Sequence, residues 1–133
     1  LDRLLASASI EQYLDEGLVS ARTLTDYLFD RMEAHDLRRA DVVRASGLNA
    51  TVVYDIFSGK SRPGRDHAIM LAFGLKCTLR ETQRLLRLAG VSELWCKQRR
   101  DAIIIWCIRN GFDRIATDDE LYRMGEATLL PAD

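Results

Sequence analysis

The chain has 133 residues, 47% apolar and 29% charged, with 19 basic and 20 acidic side chains and a formal net charge of −1. That balance fits one globular domain, or one with an appendage, able to bury a core without staples, and it excludes a disordered chain. The longest apolar run, Ala102 to Ile108, has seven residues, far short of a membrane span.

Divided along the chain, the charge is uneven. Residues 1–37 carry 3 basic and 8 acidic side chains, residues 38–100 carry 13 and 5, and residues 101–133 carry 3 and 7. A basic middle between acidic ends suits one anionic partner surface; a solvated mixed surface is the plainer reading of the same counts. Asp2 and Arg3 interrupt any apolar start, so no signal peptide is expected, and a chain opening on Leu1 is expected to have its natural start upstream. Cys77, Cys96 and Cys107 are odd in number and widely spaced. They suit reduced, buried thiols of a cytoplasmic protein, and with no CxxC or HxxxH pairing they make no metal site with His67.

In chain order the predicted elements are all helices, at 9–16, 22–35, 39–46, 50–57, 66–74, 78–89, 98–110 and 118–127. Four stretches, Ser9–Gln12, Thr23–Asp26, Thr78–Glu81 and Thr117–Glu120, place a hydroxyl three residues before an acid or amide. There each can satisfy an orphan N–H of a first turn. Leu24, Leu28 and Met32 trace a stripe at four-residue steps, and Leu79, Leu85, Leu86 and Leu88 trace another. Gly47, Gly59, Pro63-Gly64, Gly90 and Gly111 fall in the breaks. The run Ile103–Ile108 would suit a buried strand. The charged approach from Lys97 and a cap at Gly111 favour a helix, apolar nearly all round, serving as the central post of the C-terminal half or half of a dimer interface.

Residues 40–60, ADVVRASGLNATVVYDIFSGK, have the layout of two short helices around a tight turn. Val42 and Val43 stand where the first helix buries an apolar pair; Gly47 and Leu48 form the turn; Val53 and Ile56 are the inward positions of the second helix; Gly59 ends it, and Lys60, Arg62 and Pro63 follow. Over about 24–89 the chain resembles the Cro/phage-repressor-like (XRE-type) helix-turn-helix family. The resemblance implies an all-α fold, with a five-helix repressor-like core at 21–92, an N-terminal helical appendage at 1–20 and a C-terminal helical extension at 93–133 packed on the same core. It departs from the family at Met32 and Phe57, where many members carry an arginine and a glutamate that pair. Here both partners are apolar together and are expected to touch, a swap that is often neutral or stabilising.

By the same resemblance the base-facing residues are Asn49, Ala50, Thr51, Tyr54 and Asp55, and the phosphate-facing ones are Arg38, Arg39, Arg44, Lys60, Arg62 and Arg65. None of the base-facing set offers the bidentate guanine or adenine contact that discriminates best, so affinity is expected to come from phosphates. Arg80, Arg84 and Arg87 form a further basic stripe, and Lys97, Arg99 and Arg100 a second cluster.

The expected function is a cytoplasmic bacterial transcription regulator that binds double-stranded DNA as a homodimer, with no cofactor, metal, membrane or enzymatic activity. His35 and His67 lie in no nucleophile, metal or phosphate-loop pattern. Asp118, Asp119 and Glu120 are read as first-turn acids opposite a helix dipole. The alternative is a helix-turn-helix scaffold reused to bind a protein such as a kinase or toxin. It is favoured by a second helix, Ala50 to Phe57, that carries no lysine or arginine.

Overall fold

The computed structural model describes residues 24–131, and the helix expected at 9–16 lies outside them. The described residues form helices and connecting turns with no strand. Helix α1 covers 24–34, and α2 Arg39–Ser46, α3 Ala50–Phe57, α4 Arg65–Gly74, α5 Leu79–Leu88, α6 Arg99–Arg109 and α7 Arg114–Arg123 follow.

Local chemistry sets most of these ends. Asn49 caps α3 by accepting from the Val52 N–H at 2.9 Å. Thr78 and Glu81 exchange hydrogen bonds at the start of α5 as a capping box. Gln98 caps α6 through the Asp101 N–H. The last helix departs from expectation. It begins at Arg114 with Asp113 as its cap, accepting from the Ala116 N–H at 2.8 Å, and Thr117 is buried in its second turn, donating to the Asp113 carbonyl. Asp118, Asp119 and Glu120 are therefore mid-helix, not first-turn acids.

The core is one buried cluster. Leu24 and Leu28 of α1, Val42 of α2, and Val53, Ile56 and Phe57 of α3 join Leu85 and Leu86 of α5. Ile104 of α6, Leu121 of α7 and Leu129 beyond it belong to the same cluster. Helix α4 is the central post, because Ala68, Ile69, Met70, Leu71 and Ala72 are all buried on successive sides of the helix. Helix α6 is not buried all round: Ile104 and Cys107 are buried, while Trp106 is 52% exposed. Phe57 sets its ring edge against Phe29, with centroids 5.1 Å apart, and Met32 packs at the margin of the cluster.

Two glycines fix close approaches. A Cβ on Gly74 would stand 2.9 Å from both Ser46 Cβ and the Val42 carbonyl, so α2 and α4 touch through backbone there. Gly47, at φ +82°, would carry a Cβ 2.7 Å from Arg114 Nε and 2.9 Å from Leu130 Cδ1. The C-terminal segment therefore rests on the turn between α2 and α3. A left-handed backbone alone would already favour glycine at 47.

Helix α1 is tied to α5 by a polar cluster. Arg31 meets Glu81 at 2.5 Å, His35 Nε2 lies 3.7 Å from the same carboxylate, and the Arg31 and Arg84 guanidinium groups stand 5.3 and 5.6 Å from the Tyr27 ring centroid. Burial pushes the Glu81 carboxyl up, but the Thr78 N–H, Arg31 and His35 outweigh it and hold it below its ordinary value. A depressed carboxyl stabilises the fold above its unfolded-state pKa and loses that contribution as pH falls through the folded one. Glu81→Gln is thus expected to lower stability by about 1–2 kcal/mol at neutral pH. The gap to wild type should close below the ordinary glutamate range, as followed by urea unfolding at several pH values.

Candidate nucleic-acid interface

Helices α2 and α3 are joined by Gly47, Leu48 and Asn49 alone. The buried Ser46 hydroxyl donates to the Val43 carbonyl and accepts from the Leu48 N–H, both at 3.2 Å, which stitches the turn from inside. Leu48, Val53, Ile56 and Phe57 are turned inward. What α3 leaves to solvent is Ala50, Thr51 and Tyr54, with Asp55 half-buried beside them.

The expected base-facing residues thus divide. Ala50, Thr51 and Tyr54 share the exposed face, Tyr54 at 43% exposure. Asn49 has its carbonyl oxygen committed to the cap, leaving its amide nitrogen outward. The Arg39 guanidinium sits 5.1 Å from the Tyr54 ring centroid, a cation–π contact that holds the start of α2 beside the open face of α3. No periodicity signals that pair, because its members are fifteen positions apart on different helices.

The expected phosphate set divides as well. Arg38 and Lys60 are exposed, the Arg38 charge acting on the nearby Asp41 carboxylate; Arg39 lies against the Tyr54 ring. Arg44 is paired with Asp41, whose carboxyl the Arg38 N–H and then Arg44 hold below its ordinary range. Arg62 donates to the Leu88 carbonyl at 3.1 Å while staying exposed. Arg65 is the member of the set most engaged within the protein. Its guanidinium is spent on both oxygens of buried Asp101, at 3.0 and 2.6 Å, and on the carbonyls of Ser92 and Glu93.

No family model, no curated protein and no solved structure matches the chain.

The remaining positive charge is partly spent. Arg100 grips Asp66 with both terminal nitrogens, Arg99 meets Glu126 at 3.2 Å, and Arg87 meets Glu93 at 3.5 Å. Arg80 and Lys76 remain exposed without side-chain partners among the described residues. The thiols offer little chemistry. Burial pushes Cys77 up to about 12 and raises Cys107, and a protonated thiol is a poor nucleophile or ligand. Cys96 is exposed, contrary to the expectation that all three are buried. Among the described residues no group of three His, Cys, Asp or Glu could hold a metal, and no helix is long and apolar enough to cross a membrane.

Proposed function

We propose that this chain is a helix-turn-helix DNA-binding regulator of the repressor-like type, which lays α3 in the major groove and holds the duplex chiefly by its phosphates. The observation that carries the reading is the Arg39–Tyr54 stack: it fixes a guanidinium at the rim of a short helix whose exposed face is small and neutral. Ala50 and Thr51 can approach base edges closely without bulk. Thr51 can donate to or accept from a base edge, the Ala50 methyl suits a thymine methyl, and Asp55 can accept from a cytosine amine. Arg38, Arg39, Lys60 and the outward part of Arg62 supply the positive rim.

The test is a salt titration with random-sequence duplex. Binding is expected, with log K falling linearly as log salt rises. Arg39→Ala and Lys60→Ala should each weaken every duplex alike and reduce the slope by about 1. Flat or absent binding overturns the reading.

One observation favours a second reading, that the same face meets a protein. Helix α3 carries no basic residue, and it presents an exposed aromatic ring beside Asp55. Tyrosine and arginine together are the side chains that most often anchor protein interfaces. In that case Tyr54→Ala would abolish capture of a protein partner while duplex DNA is ignored at every salt concentration.

A further inference from the structure

The turn that joins α4 to α5 and the turn that joins α6 to α7 line one cavity of about 350 Å³. Phe73, Ile108 and Phe112 form apolar walls, and Cys77 adds a thiol that burial keeps protonated. Lys76, Thr78 and Asp113 bring the polar groups. We propose that this cavity binds a small apolar zwitterion of the α-amino acid class, its carboxylate on Lys76 and Thr78, its ammonium on Asp113 and its side chain between Phe73 and Phe112. The proposal does not rest on the DNA reading; a chain that binds such a molecule and ignores DNA leaves it standing.

Size and charge choose the ligand. Ligand sites usually enclose about 300–1,000 Å³, so a cavity at the small end of that range suits an amino acid better than a nucleotide. Lys76 and Asp113 are both exposed at its mouth and stand too far apart to pair with each other. Asp113 gives Oδ1 to the Ala116 N–H at 2.8 Å, which leaves its other oxygen for an ammonium. Thr78 Oγ1 accepts from the Glu81 N–H at 3.2 Å, which leaves the hydroxyl proton to donate. A simple acid would satisfy Lys76 and be repelled by Asp113, and a simple amine the reverse. A molecule carrying both charges meets an attractive partner at each end.

The backbone singles out Lys76 as well. It follows α4 at φ 57°, with its N–H on the Phe73 carbonyl at 3.0 Å and the Cys77 N–H on the Ala72 carbonyl at 2.9 Å. The turn after α6 repeats those bonds, Gly111 to the Ile108 carbonyl at 3.2 Å and Phe112 to the Cys107 carbonyl at 2.9 Å, with glycine at the left-handed position. A lysine there carries strain that glycine would not. Strain of that kind gathers at ligand sites, where the side chain is what the position requires.

Calorimetric titration of the full chain with L-leucine and L-phenylalanine tests this, each beside the acid lacking its amine and the amine lacking its carboxylate. At least one amino acid should bind, about tenfold or more tightly than either of its truncated forms, the range for one charged hydrogen bond. Lys76→Gly should weaken that binding about tenfold with a thermal midpoint no lower than wild type, because the substitution relieves strain. Asp113→Asn keeps an oxygen for the Ala116 N–H and removes only the charge. It should weaken binding by a similar factor, and it decides the matter if Lys76→Gly folds poorly. Neither amino acid binding at millimolar concentration, a truncated form binding as tightly as its parent, or wild-type affinity in either folded variant would each overturn the proposal.

Discussion

Asp118→Ala is expected to cost about 3–5 kcal/mol of stability, the range for removing one partner of a buried ion pair. Three groups lose their acceptor at once. Arg114 Nη1 reaches Asp118 at 2.7 Å, and the N–H groups of Leu129 and Leu130 reach its two oxygens at 2.6 and 3.1 Å. Arg114 and Asp118 are both nearly buried, and Arg114 Nε already lacks a partner, so the stranded guanidinium has nowhere else to turn. Asp118→Asn keeps an acceptor for one backbone amide and should fall between wild type and alanine. Urea unfolding followed by circular dichroism measures both. An alanine variant within about 1 kcal/mol of wild type would show that water replaces the carboxylate and that the tail is not held by it.

The second large effect concerns Arg65 and Asp101. Asp101 is 5% exposed at its side chain, takes two nitrogens of Arg65, and also accepts from the Trp95 N–H at 3.0 Å. Through these bonds the start of α4, the segment around Ser92 to Trp95 and the start of α6 are fastened at one point. Arg65→Ala and Asp101→Ala should each cost about 3–5 kcal/mol. The double variant should cost far less than the sum, because the second removal deletes a charge already stranded by the first. The folded fraction of Arg65→Ala should bind duplex DNA as wild type does. A variant with undiminished stability and weakened DNA binding would instead make Arg65 a phosphate contact.

Much of the helical layout was legible from short-range chemistry. Thr78 with Glu81, the glycine at 47 and the four-residue stripe of α1 announce themselves because their causes lie within one turn of chain. The start of α7 was not legible for the opposite reason. Thr117-Asp-Asp-Glu120 has the spacing of a capping box, yet Asp113 caps the helix and Asp118 is drawn inward by Arg114 and by backbone eleven and twelve residues ahead. The all-round burial expected of α6 was misjudged likewise, since Trp106 is 52% exposed. The isoleucine run of α6 is more conspicuous than the mixed Ala68–Ala72 stretch, but burial follows position among neighbours rather than mean apolarity. At the candidate site, the family resemblance, not any spacing, named Ala50, Thr51 and Tyr54, which the structure leaves exposed on α3. The Arg39–Tyr54 stack and the commitment of Arg65 to Asp101 are cross-helix facts with no local trace.

The floor beneath Gly47 has a practical corollary. Arg114 and Leu130 occupy the space a side chain there would need, so residues 39–57 do not form a cassette portable to another scaffold. Any graft must bring its own replacement for that support, and engineered diversity is better introduced at Thr51 and Ser58, which face water, than at the hinge between the two helices.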